Sequence, residues 1–217
     1  MKASPPRSPL RGSLPPEGAA VALGRPGGDW ASGWNLVPLA QVPATPWRNG
    51  GGSTRELLAW PPSSGSDWRV RLSVAEVAQD GPFSSFPGVQ RWFAVLDGAG
   101  VQLSLDGAVH GLDRASAPFE FDGGAAVDCA LTGGPTQDFN LMVRGGRGSM
   151  RRLHGRHTAS FSAPVLIAVY AHGTSTEATF GNEAVQIPAQ TLAWRTLQQS
   201  GSLEVTAQHA LWMEVFW

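Results

Sequence analysis

The sequence predicts an all-β protein of the sandwich or barrel type, and three observations carry that expectation. Short segments alternating polar and apolar residues recur along the chain, and clusters of turn residues separate them at intervals of about 8 to 12 residues. No strand alternates with a long amphipathic helix, which argues against βαβ units. The composition agrees: 27 Gly and 17 Pro in 217 residues are about one residue in five, against a usual ~12%.

In chain order, residues 53–60, 68–77, 91–97, 101–106, 119–122, 125–131 and 137–144 read as strands, mostly with a period of two. Asp97-Gly98-Ala99-Gly100 and Asp106-Gly107 are hairpin signals, because glycine and aspartate tolerate the left-handed backbone that tight hairpins require. Asp122-Gly123-Gly124 and Thr132-Gly133-Gly134-Pro135 separate the next pairs. A second, smaller set follows at 164–172, 176–180, 184–188, 190–195, 202–207 and 210–217. The Arg- and Gly-rich stretch 145–163 is expected to be the join between the halves, with His154 and His157 in a solvated loop. Residues 1–33, with six Pro, six Gly and no periodic apolar pattern, read as a disordered leader. The expected division is therefore the leader 1–33, a first β-sandwich over 34–148, and a second β half over 149–217 packed on the first.

Charge narrows the function classes. Only 15% of residues are charged, the net charge is -1, and Lys2 is the sole lysine. That balance lacks the electrostatic footprint of a nucleic-acid or anionic-membrane binder. The longest apolar run is far shorter than the roughly 20 residues of a membrane helix, and the Pro-interrupted N-terminal region lacks the apolar core of a signal peptide. The single Cys129 alternates with Val127 and Leu131 as a buried strand residue does, so a reducing, cytoplasmic setting is expected. The C-terminal segment 212–217 is apolar on both faces, so it is either buried centrally or a subunit contact, with a homodimer as the corresponding partner.

The densest motif is Trp47-Arg48-Asn49-Gly50-Gly51-Gly52-Ser53-Thr54-Arg55-Glu56. Three glycines let successive N–H groups converge into an anion-binding nest, though a plain turn entering a strand explains them equally well. Along 68–77, Trp68, Val70, Leu72 and Val74 share one face while Arg69, Arg71 and Ser73 share the other. Asp138, Asn140, Met142 and Arg144 likewise stand opposite Phe139, Leu141 and Val143. Each polar face is either a pocket lining or a solvated exterior. Arginine suits carboxylate recognition because its planar fork donates two parallel hydrogen bonds. Arg55, Arg71 and Arg91 are candidates, with Glu56 beside the first. No His-x-His metal spacing occurs among the five histidines, and neither a nucleophile elbow nor a recognised Cys/His spacing is present. No catalytic residue, metal ligand or cofactor is assigned.

Taken together, WRNGGGSTRE, WRVRLSVAEVAQDGPFSSFPGVQR, PFEFDGG and QDFNLMVRGG resemble the HutD/Ves family of bacterial cupin-like proteins, over roughly residues 34–148. The resemblance implies a cupin-like (RmlC-like) β-sandwich with an internal duplication, a place in histidine utilisation, and a pocket for a small carboxylate such as formylglutamate or urocanate. On that reading the ligand-binding set is Asn49, Gly50, Gly51, Thr54, Arg55, Glu56, Arg71, Ser73, Arg91, Asp138, Asn140 and Arg144, and the protein is a non-catalytic binder. The alternative is a metal-independent enzyme, an isomerase or hydrolase, with Glu56, Asp138 or a histidine as general base.

Overall fold

The computed structural model describes residues 33–62 and 67–217; the expected leader falls almost wholly outside them. The alternating segments form β1 (Asn35–Pro38), β2 (Thr45–Pro46), β3 (Gly52–Trp60), β4 (Val70–Val77), β5 (Gly81–Pro82), β6 (Val89–Asp97), β7 (Val101–Leu105), β8 (Ala108–Leu112), β9 (Phe119–Asp122), β10 (Asp128–Leu131) and β11 (Thr136–Arg144). The second set is β12 (Arg147–Phe161), β13 (Val165–Ala171), β14 (Thr176–Phe180), β15 (Glu183–Ile187), β16 (Thr191–Leu197) and β17 (Gly201–Phe216). Asp106 and Gly107, at φ 50 and 77, make the expected left-handed turn between β7 and β8.

Three antiparallel sheets result. One runs β2-β3-β4-β11-β6-β9, the second β5-β10-β7-β8, and the third β1-β16-β13-β17-β14-β15 with β12 also paired to β17. Their pairings reveal a duplication. In the first half β6 lies between β11 and β9, and the hairpin β7–β8 joins β10. In the second, β13 lies between β17 and β16, and the hairpin β14–β15 joins β17. A single strand, β17, thus does the work of β10 and β11 together. Likewise β12, paired to β17 along its length, repeats both β4 beside β11 and β5 beside β10. The unit from β4 to β11 is built a second time from β12 to β17. Outside the repeat, β2 and β3 extend the first sheet, while β1 crosses over to pair with β16 of the second half.

Three sequence expectations need correction. Residues 145–163 are not a loop but mostly β12, in which Gly148, Met150, Leu153, Ala159 and Phe161 are buried among exposed neighbours. Pairing with β17 overrides the poor strand propensity of its glycines, and the arginines occupy exposed or half-exposed positions. His154 and His157 therefore belong to a strand, with His154 Nδ1 2.8 Å from the Gln208 carbonyl oxygen and its ring edge-on to His209. Residues 202–207 and 210–217 are not separate strands either: β17 runs through Gln208 and His209, and a bulge there, with those two residues set against His154 of β12, absorbs the irregularity. Finally, Trp68 precedes β4 and does not share the face of Val70. It packs with Val89 and Met142 on the opposite side.

The main core lies between one face of the first sheet and one face of the third. Leu72, Val74, Phe139 and Leu141 meet Leu166, Tyr170, Leu211 and Met213 there, and the rings of Phe139 and Tyr170 are 5.0 Å apart. A second core fills the C-terminal half around Val169, Val205 and Trp212. The apolar residues of β17 are consumed within the chain on both faces, which answers the choice the sequence left open for that segment in favour of central burial. A third core, between the first sheet and β5-β10-β7-β8, contains Phe93, Val95, Leu103, Phe121 and the buried Cys129. That inter-sheet space holds the candidate site.

Candidate functional site

The site arises from strand parity. Because β4 and β11 pair without a slip, Ser73 stands opposite Asn140 and Arg71 opposite Met142. Across β6, Asn140 faces Phe93 and Met142 faces Arg91. On the other edge Glu56 of β3 lies beside Ser73. The face opposite Leu72, Val74, Phe139 and Leu141 consequently gathers Glu56, Arg71, Ser73, Arg91, Asp138 and Asn140. With Thr54 on β3 and Arg144 at the end of β11, eight of the twelve residues expected from sequence lie on this surface.

Arg91 is its centre and is only 7% exposed. Its Nε and Nη2 both donate to Asn140 Oδ1, at 3.1 and 2.8 Å. Its guanidinium carbon lies 4.5 Å from the ring centre of Phe83 and 5.2 Å from that of Phe121, so two aromatic faces hold the cation. Phe121 sits opposite Arg91 in the β6–β9 register, and Phe83 is fixed by its N–H donating to the Val127 carbonyl. Burial, then the nearby Arg71 charge, pulls the Arg91 guanidinium down to about 10. Among the described residues no carboxylate comes within ion-pair distance of Arg91. A neutral amide holds a buried cation.

One step along β11, Asp138 is fully buried. Thr136 Oγ1 donates to its Oδ2 at 2.7 Å, while Oδ1 has no partner. Burial raises its carboxyl to about 7, against the opposing pull of the Thr136 bond and Arg91. Across the space, burial and then the Asp138 charge push the Cys129 thiol up to about 12, which makes it inert as a nucleophile at neutral pH. Arg71 donates through Nε to Glu56 Oε2 at 2.6 Å, and both side chains keep about a quarter or a fifth of their surface exposed, 27% for Glu56 and 21% for Arg71. The polar residues therefore run from a half-open Arg71–Glu56 pair to the closed Arg91–Asn140 and Asp138 interior.

The other expected residues have different surroundings. Asn49 Oδ1 accepts from the Gly51 N–H, and the Gly50 N–H donates to the Trp47 carbonyl, so these donors of the glycine segment close a turn. Thr54 shares the site's face, but its hydroxyl accepts from Trp47 Nε1. Arg55 lies on the opposite face and donates to the Val42 carbonyl. Arg144 stacks its guanidinium 4.7 Å from the Trp68 ring centre at the end of β11. Gly52 is required for packing: a Cβ there would lie 2.1 Å from the Glu76 carbonyl oxygen and 3.0 Å from the Trp47 ring. Gly52→Ala should therefore destabilise the fold by at least about 2 kcal/mol, seen as a lower midpoint in thermal unfolding. Gly51→Ala, which meets only the Asn49 side chain at 3.4 Å or more, should leave that midpoint nearly unchanged.

Sequence reasoning missed Phe83, Phe121 and Thr136. Nothing local to the loop containing Phe83 shows that its ring covers Arg91. Among the described residues one surface depression of about 520 Å³ is bordered by Gly88, Gln90, Glu120 and Phe121, and one of about 200 Å³ adjoins Gln102 and Thr132; Arg91 lines neither. Among the described residues no three His, Cys, Asp or Glu side chains are placed to hold a metal ion, and no helix is long and apolar enough to cross a membrane.

The sequence model of the HutD family matches residues 39–213. This chain belongs to the HutD family. A 21.2 kDa Pseudomonas putida protein described as lying in the hutC 3′ region is 33% identical over 155 residues, covering 70% of this chain and 80% of its own. The protein Ves of Citrobacter koseri is 39% identical over 108 residues, which span 49% of this HutD-family chain and 56% of Ves. Among solved structures, a HutD from Pseudomonas fluorescens SBW25, determined in a formate condition, superposes with TM-score 0.73 at 27% identity, covering 84% of this chain and 98% of that one. A conserved protein of unknown function from Pseudomonas aeruginosa PAO1 gives TM-score 0.75 at 31% identity, over 85% and 98%. The fold is cupin-like and duplicated; a Bacillus subtilis oxalate decarboxylase mutant, at 6% identity and TM-score 0.56, shares the fold alone.

Proposed function

We propose that this HutD-family protein is a non-catalytic binder of a small carboxylate, acting in the cytoplasm to modulate histidine utilisation. The observation that carries the reading is Arg91, a buried guanidinium held by a neutral amide and two rings without an ion pair. A buried cation with no carboxylate in ion-pair contact, Asp138 acting on it only at longer range, is unfavourable, and a ligand carboxylate would supply a direct partner through charge-assisted hydrogen bonds. Arg71 would attract the ligand at the half-open end, while Asn140 and Ser73 would fix its orientation. The relative in the hutC region and the HutD structure support the pathway assignment. Formylglutamate and urocanate are the proposed candidates because each combines a carboxylate with a further polar group.

Calorimetric titration of the full chain with formylglutamate, urocanate and histidine tests the proposal. Saturable binding of one of the first two, lost in Arg91→Met, is the expected result. No heat and no thermal shift with any of them would remove the ligand assignment. Asp138 favours a second reading, since a carboxyl near pKa 7 can act as a general base near neutral pH. A metal-independent isomerase or hydrolase would turn over such a ligand, and Asp138→Asn would abolish turnover while leaving binding.

A further inference from the structure

The C-terminal half contains a second arginine in surroundings like those of Arg91. Arg195 of β16 faces the second core and is 6% exposed. Its guanidinium carbon lies 4.9 Å from the Phe180 ring centre and 5.5 Å from that of Trp34, reproducing the two-ring clamp of Arg91. The clamp is not a relic of duplication. Arg91 is on β6, whose counterpart is β13, whereas Arg195 is on β16, whose counterpart is β9. Each half acquired its arginine on a different strand.

Two buried donors in this clamp, Arg195 Nε and Trp34 Nε1, have no acceptor among the described residues. Both belong to groups that cannot accept a hydrogen bond, so neither can satisfy the other. Together they leave two buried donors without an acceptor among the described residues. Glu183 reaches the other side of the guanidinium, its Oε2 accepting from Arg195 Nη1 at 2.9 Å, and its side chain is 47% exposed at the start of β15. It therefore marks the solvent side of the clamp. The other carboxylate of this region, Glu214, is engaged by Trp212 Nε1 at 2.7 Å and lies 3.8 Å from Arg151, so it does not compete for Arg195.

We infer that Arg195 and Trp34 form a second anion site, in the C-terminal half, that takes a small monocarboxylate on Arg195 Nε and Trp34 Nε1, with Glu183 as a displaceable counter-ion at its entrance. A carboxylate presents two oxygens in a plane and can accept from two donors at once. Glu183 opposes the incoming charge, so the occupancy of the site depends on how readily that side chain returns to water. The site is independent of Arg91 and of the ligand proposed there.

The test uses the full chain labelled with ¹⁵N, following the indole N–H resonances, with that of Trp34 assigned by its loss in Trp34→Phe. Sodium formate and sodium acetate are titrated against sodium chloride at constant ionic strength. The expected result is a saturable shift of the Trp34 resonance with the carboxylates and not with chloride. Glu183→Gln should tighten the apparent affinity several-fold, and Arg195→Lys should weaken it at least ten-fold. Arg91→Met should leave the Trp34 response intact, which separates this site from the first. A Trp34 resonance that stays in place in both the parent and Glu183→Gln, or that moves equally with chloride, would overturn the inference and leave Arg195 as a structural clamp. Glu183 is half-exposed, so its variant keeps the test decisive even where changes at Arg195 impair folding.

Discussion

Asp138→Asn should match the parent within about 1 kcal/mol at pH 4 and exceed it by about 2 to 4 kcal/mol at pH 8, in urea unfolding followed by tryptophan fluorescence. The sign follows from linkage. Burial raises the folded-state carboxyl from 3.8 to about 7, so the folded state binds the proton more tightly than the unfolded chain does. The contribution is fully present below about pH 4 and is lost as pH rises towards 7, because folding must then either retain a proton or bury a charge. Facing groups modulate the loss: Arg91 on β6 and the Thr136 hydroxyl favour the ionised form, and no partner reaches Oδ1. Asparagine keeps an acceptor for Thr136 and cannot ionise. Equal pH dependence in the two proteins would place the titration elsewhere. The same chemistry predicts that carboxylate affinity falls above pH 7, where an ionised Asp138 would stand near the bound anion.

Arg91→Met should weaken carboxylate binding about a hundred-fold or more, while leaving the fold as stable as the parent or more so. The loss corresponds to about 3 kcal/mol, the scale of hydrogen bonds to a charged group. Stability moves the other way because methionine removes a desolvated cation that lacks an ion pair, and replacing such a group with a packed apolar side chain is often neutral or favourable. The orphaned Asn140 Oδ1 offsets part of the gain. Calorimetry and thermal unfolding on one preparation would separate the effects. A variant that lost both stability and binding would make Arg91 a structural residue; one that retained binding would move the ligand away from it.

The strands were legible because their alternation and turn residues are local properties. Parity also correctly separated Arg71 and Ser73 from Leu72, and Asp138 and Asn140 from Phe139 and Leu141. Which face looked inward was not legible, since the first sheet packs on both sides, against the third sheet and against β5-β10-β7-β8. Nothing in the sequence set Arg91 above Arg55 or Arg71, for the same reason: Phe83 comes from a loop and Phe121 from β9, and only the assembled sheets bring them onto its guanidinium. The arginines and glycines of β12 suggested solvent and flexibility, whereas its long partner β17 supplies the pairing that holds it extended. Conversely, the conspicuous Gly50–Gly52 segment drew attention as an anion nest, and its Gly50 and Gly51 N–H groups turn out to bond within the turn.

The crossing of β1 to β16 has a consequence for anyone who would separate the halves. Cutting between Gly145 and Gly146 would divide the repeat cleanly in sequence, but each fragment would expose its side of the core between the first and third sheets. The N-terminal piece would also carry away the strand that borders β16. Neither fragment is expected to remain soluble alone. Produced together, they have complementary apolar faces and a strand-shaped vacancy to guide them, which makes this break point suited to a split protein whose halves recover their structure only on meeting.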